Sequence, residues 1–171
     1  MLNLGAGEPW SHAPTPWIDI DIRPDVLPDV VADVRHLPFR SDSAERVYAG
    51  HLLEHVPQEE VAYVLIEIMR VLVPGGAFLA VGPDAERSAR LLATGHVSPE
   101  RHQSNLVTEG GEGNPCLHQW NTSAQLIALM VWQVGFIGIA EIDIANTSPA
   151  FPVFDRGSKD QYAVRGWKPH D

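Results

Sequence analysis

The sequence has a single cysteine, Cys116, among its 171 residues, so an internal disulfide and a zinc site built from several thiolates are both excluded. Packing alone must hold the fold. Basic residues are also scarce: 12 Lys and Arg against 22 Asp and Glu leave a formal charge of -10. That is the wrong sign for gripping a phosphate backbone or an anionic membrane, so neither nucleic acid nor membrane is an expected partner. Long apolar runs are missing as well. The longest, such as 61–66, falls far short of the ~20 residues that span a bilayer, and no basic leader precedes an apolar stretch at Met1. A cytoplasmic location is the expectation. What is present is 44% hydrophobic residues, enough for the core of one domain over 1–171, undivided by repeats or linkers.

Short runs rich in β-branched and small apolar residues at 1–4, 30–32, 47–49 and 77–81 predict strands buried on both faces of a parallel sheet. Ile18, Ile20 and Ile22 alternate with Asp19 and Asp21 in a further strand whose end carries acid. Apolar positions 61, 64, 65, 68 and 72 recur at helical spacing, with Pro57 before them, Glu59 and Glu60 in the first turn and Arg70 in the last. Pro74-Gly75-Gly76 is expected to end that helix and turn the chain into the strand from Ala77. Helices are also predicted at 85–93 and 122–134, the second capped by Asn121 or Thr122 and stopped at Gly135. Segments 136–144 and 161–165 close the chain as an edge hairpin. The alternation predicts an α/β, doubly wound, three-layer α/β/α sheet of seven strands, six parallel and the last antiparallel. Its ligands would sit beyond the strand ends.

Chemistry is sought there. Leu4-Gly5-Ala6-Gly7 leaves the first strand, and glycines at such an exit allow a tight turn and close approach of a ligand. Asp21 ends the second strand, where one carboxylate suits the two hydroxyls of a ribose. Asp33 follows the third strand and suits an exocyclic amine. Standing alone, each is read as a loop cap.

Together, LNLGAG at 2–7, IDID at 18–21, DVVADVRHLPF at 29–39, HLLEHV at 51–56, RVLVPGG at 70–76 and GPD at 82–84 resemble the ordered motifs of class I S-adenosylmethionine-dependent methyltransferases. The likeness is to the branch that includes the ubiquinone and menaquinone enzymes, in a Rossmann-like form without the N-terminal helices that often cover the site. It implies that S-adenosylmethionine is bound by Leu4, Gly5, Ala6, Gly7, Asp21, Ile22, Asp33, Val34, Leu37 and His51, and leaves as S-adenosylhomocysteine. It also implies direct displacement, a reaction that gains mainly from orientation. His51 and His118 are candidate catalytic groups, and Asp84, Trp120, Phe151 and Phe154 candidate contacts for a small-molecule acceptor with a hydroxyl. Three prolines at 9, 14 and 16 exclude the long helix that many relatives place between the first two strands, so a looser glycine loop is expected. The loop 146–160 is expected either to wall the acceptor or to make a contact in a homodimer.

Two rivals remain. His51-Leu52-Leu53-Glu54-His55 satisfies the H-x-x-E-H pattern of inverted zinc peptidases, which needs both histidines on one helix. Val56-Pro57 ends any such helix early, and the spacing of His96, His102, Cys116 and His118 matches no familiar metal pattern, so no metal is assigned. The other rival is a catalytically inactive module that binds the cofactor without turning over an acceptor.

Overall fold

The computed structural model describes residues 1–107, 117–144, 151–153 and 159–170. Seven strands form one sheet in the order β3-β2-β1-β4-β5-β7-β6. They are β1 (Leu2–Leu4), β2 (Ile18–Asp21), β3 (Val30–Val31), β4 (Ala44–Gly50), β5 (Leu72–Pro83), β6 (Ile137–Glu141) and β7 (Gln161–Trp167). β1 to β5 pair in parallel, and β7 runs antiparallel to both β5 and β6. The expected Rossmann-like sheet with one reversed strand is therefore observed. The order reverses at β1, which turns one way to β2 and the other way to β4, so the exits of β1 and β4 flank the crevice where such sheets bind ligands.

The central strands are apolar on both faces because both faces are covered. In β5, Phe78 and Ala80 join a core with β1, β4, α1 (Val61–Val71) and α4 (Ala124–Val134). The alternate residues Ala77, Leu79 and Val81 join Trp17, Tyr48, Ile144, Phe151 and Val153 in a second core. α1 buries Val61, Val64, Leu65 and Ile68 as predicted, but its last buried residue is Val71, the expected Leu72 being the first residue of β5, and residues 58–60 form a 3-10 turn ahead of it. α2 (Ala85–Ala93) matches its expected span. α4 begins two residues late because Ser123, not Asn121 or Thr122, accepts the N–H of Leu126, and Gly135 stops it in the left-handed region, φ 106°.

Two departures have physical causes. Pro74-Gly75-Gly76 is not a turn between helix and strand: α1 passes straight into β5 at Leu72, and the triplet loops out as a bulge. Leu72 pairs with Ala44 and Ala77 with Arg46 across it, while Gly75 donates its N–H to the Lys168 carbonyl. The second departure is α3 (Pro99–Leu106), a helix between the predicted helices at 85–93 and 122–134, where no element is predicted from the sequence, with Ser98 accepting the N–H of Arg101 at its start. Among the described residues no helix is long and apolar enough to cross a membrane.

Candidate functional site

Beyond the ends of β1, β2 and β4 lies a cavity of about 870 Å³, within the range of roughly 300–1,000 Å³ usual for small-molecule sites. Gly5 and Gly7 both adopt positive φ, 64° and 69°. A side chain at Gly5 would also meet Leu52 Cδ1 at 2.9 Å. Gly7 donates its N–H to Asp21 Oδ2 at 2.9 Å, and Arg23 donates its N–H to Oδ1 at 2.9 Å. The carboxylate at the end of β2 is thus fixed in place by two backbone amides before any ligand arrives. The glycine loop is held more firmly than expected. No long helix follows β1, as the prolines require, but residues 9–11 form a 3-10 turn and Ser11 Oγ reaches the carbonyl oxygens of both Ala6 and Glu8.

Asp33 also lines the cavity, and its neighbour Arg35 donates to it from the backbone and from Nε, each at 2.9 Å. The same guanidinium pairs with Glu60. Hydrogen bonding from Arg35 holds the Asp33 carboxyl below its usual range, overcoming the opposing effect of partial burial. Asp33 is therefore ionised and aimed, with Arg35 standing beside it in the cavity wall.

The other end of the cavity is built from segments far apart in the chain. His51 follows β4 with a positive φ of 50° and donates its N–H to the Val81 carbonyl at 2.8 Å. Its Nε2 is 2.9 Å from Gln161 Nε2, and its Nδ1 is 3.2 Å from Glu54 Oε1. With the Gln161 amide donating, the ring proton sits on Nδ1, the nitrogen within ion-pair distance of the carboxylate. Burial pushes the Glu54 carboxyl up, but the His51 contact and the positive potential of His51 and His55 outweigh it, leaving the group below its usual range. His118 reaches the same region from residues 117–120. Its burial lowers the imidazole below the usual histidine range against the pull of Glu54, which favours the neutral ring. His55 and His118 stack edge to face with ring centroids 5.1 Å apart.

Gly5, Ala6, Gly7, Asp21, Ile22, Asp33, Val34, His51 and His118 all line the cavity. Leu4 and Leu37 do not: both are core residues, carried inward by strand alternation and by packing beneath the Asp33 loop. Asp84 is turned away too, since its carboxylate caps α2 through the N–H of Arg87 and reaches the N–H of Ala124. Trp120 packs rather than facing a ligand, with Nε1 donating to the carbonyls of Leu53 and Val56. Phe151 lies against Trp17, centroids 5.9 Å apart, whereas its neighbour Val153 reaches the cavity. Phe154, Cys116 and most of the loop 146–160 fall outside the described residues. His96 is engaged by Thr94 and His102 by Ser88. The peptidase geometry is not formed, because 53–55 is one 3-10 turn and His51 precedes it. Sequence reasoning missed Arg35, Glu60, Arg101 and Gln161 as wall residues. For Arg35, two residues past Asp33, the proximity alone was a usable signal.

Residues 12–80 match a family model described as a methyltransferase domain. S-adenosylmethionine is the methyl donor of this enzyme class. No curated protein sequence matches. Among solved structures, an S-adenosylmethionine-dependent methyltransferase from Methanosarcina mazei is 14% identical with a TM-score of 0.62, over 99% of this chain and 92% of that one. A Haloferax volcanii complex between the Trm112 methyltransferase activator and a methyltransferase gives 19% identity and 0.61, over 99% and 82%. Phosphoethanolamine N-methyltransferase 2 of Haemonchus contortus, bound to phosphomonomethylethanolamine and S-adenosylhomocysteine, gives 14% and 0.58, over 99% and 49%. At these identities the likeness is one of fold.

Proposed function

We propose that this methyltransferase domain binds S-adenosylmethionine across the exits of β1, β2 and β4 and passes its methyl group to the hydroxyl of a small molecule. The observation that carries the reading is Asp21, which is ionisable, buried and oriented by the amides of Gly7 and Arg23. Among the described residues Oδ2 accepts only the Gly7 amide and keeps a lone pair for a ribose hydroxyl, while Oδ1, which accepts the Arg23 N–H and also Arg23 Nε at 3.3 Å, opens to the vicinal hydroxyl when that guanidinium swings aside. Gly5 to Gly7 would lie under the amino-acid part, Asp33 and Val34 beside the adenine, and His51 near the reacting end.

The bound cofactor supplies an activated methyl group. The chain supplies orientation, which can be worth ~7–11 kcal/mol in a displacement of this kind. The His51 side chain is bonded to Gln161 on one side and faces the charge of Glu54 on the other, so it fixes the shape of the reacting end. Because its Nε2 is engaged by Gln161, taking a proton from an acceptor requires that amide to move. The same engagement favours, as a second reading, a module that binds the cofactor without turnover.

Calorimetry with S-adenosylhomocysteine tests the site. Micromolar binding is expected, and Asp21→Ala should weaken it about tenfold to a hundredfold, as loss of charge-assisted hydrogen bonds worth ~1.5–3 kcal/mol implies. An unchanged dissociation constant overturns the assignment of Asp21. Binding without methylation of any hydroxyl acceptor in a broad screen favours the second reading.

A further inference from the structure

The methyl-transfer reading uses Glu54 only as a neighbour of His51 and leaves His55 without a task. Glu54 is fully buried, and although Oε1 lies 3.2 Å from His51 Nδ1, neither carboxylate oxygen has hydrogen-bond geometry with a partner among the described residues. A carboxylate withdrawn from water in this way calls for a further positive group. One carboxylate oxygen of Glu54, one ring nitrogen of His55 and one of His118 lie within 4.8 Å of one another.

That convergence is built. Residues 117–120 are fastened to the turn at 53–56 by the Gln119 N–H on the Glu54 carbonyl, 2.7 Å, and by Trp120 Nε1 on the carbonyls of Leu53 and Val56, 3.0 and 2.9 Å. His55 Nδ1 meets the Leu117 carbonyl at 3.1 Å. A carbonyl only accepts, so Nδ1 carries the proton and Nε2 presents a lone pair, the arrangement that orients histidine ligands in metal sites.

We infer that Glu54, His55 Nε2 and His118 bind one divalent transition-metal ion of the zinc or cobalt kind at the acceptor end of the cavity. Two imidazoles and one carboxylate suit these ions better than calcium or magnesium, which prefer oxygen alone. At ligand distances of ~2.1 Å, tetrahedral donors stand about 3.4 Å apart, a closure within reach of small side-chain rotations. His55 and His118 both line the cavity, so a remaining coordination position faces it and can hold an oxygen of the acceptor. That service rests on the methyl-transfer reading, whereas binding of the ion does not.

The full chain, stripped with a chelator and dialysed, is titrated with zinc chloride by calorimetry. One ion per chain is expected, and His55→Ala and His118→Ala should each weaken binding on the order of a hundredfold, while His96→Ala leaves it unchanged. Circular dichroism checks that each variant folds. Ring nitrogen shifts of the histidines, followed by NMR in the unmutated protein, require no variant: those of His55 and His118 must move on adding zinc. The proposal is overturned if the folded protein binds no zinc, if both variants bind it as tightly as before, or if only other histidines respond. S-adenosylhomocysteine is titrated into the same metal-free sample. Zinc binding without cofactor binding upholds the ion site and removes the methyl-transfer reading. Cofactor binding without zinc binding does the reverse.

Discussion

At Glu67 one carboxylate joins two parts of the chain that the sequence separates by thirty positions. It accepts the Leu37 N–H at 2.7 Å and holds Arg70 through Nε and a terminal nitrogen, each at 2.7 Å. Arg70 in turn donates to the carbonyls of Phe39 and Leu37. Helix α1 is thereby tied to the segment that carries Asp33. The Arg70 hydrogen bonds hold the Glu67 carboxyl below its usual range in spite of partial burial. A carboxyl depressed on folding adds stability above its unfolded value, near ~4.3, and that addition disappears as pH falls through the depressed folded value. Glu67→Gln should therefore cost about 1–3 kcal/mol at neutral pH. Urea unfolding should show the gap between variant and parent closing below about pH 4; a gap that stays constant with pH would mean the ionised form is not what stabilises.

At the scale of elements, the contact between the 53–56 turn and residues 117–120 makes a comparable demand. Trp120→Phe keeps most of the ring's packing but removes the N–H shared by two carbonyls. It should cost about 1–2 kcal/mol, and hydrogen exchange at the Gln119 amide should accelerate while the β4 and β5 amides stay protected. Uniform acceleration everywhere would place the effect in global stability instead. The elements differ in how openly they are written. α1 is plain in the sequence because one apolar stripe faces the core. α3 is not, although Ser98, Pro99 and Glu100 form a recognisable start: its body is polar, and among its residues only Asn105 is buried, so no periodicity marks it. The Pro-Gly-Gly triplet reads as a turn and is a bulge, since whether those residues break a strand or loop out from it depends on the partner strand.

Across the whole molecule, the two ends of the cavity were legible to different degrees for a geometric reason. The end lined by Gly5, Gly7, Asp21 and Asp33 comes from short segments directly after parallel strands, where position along the chain is position in space, so these four could be named from motifs as residues that line the cavity. The opposite end draws on residues 51, 52, 55, 101, 118, 153 and 161, which only the folded sheet brings together. Leu4 and Leu37, expected beside the cofactor, have their side chains in the core and do not line the cavity, because adjacency to a motif does not say which way a side chain points. Charge, by contrast, is a property of the whole chain that needs no topology. With a net charge of -10, the protein attracts the sulfonium of S-adenosylmethionine over distances that S-adenosylhomocysteine, which lacks that charge, does not experience. Salt shortens this reach to ~10 Å at 0.1 M and ~3 Å at 1 M. Raising sodium chloride across that range should weaken S-adenosylmethionine binding more than S-adenosylhomocysteine binding in parallel titrations. Equal losses for both would assign the salt effect to their shared amino-acid and nucleoside parts and leave the sulfonium to local contacts alone.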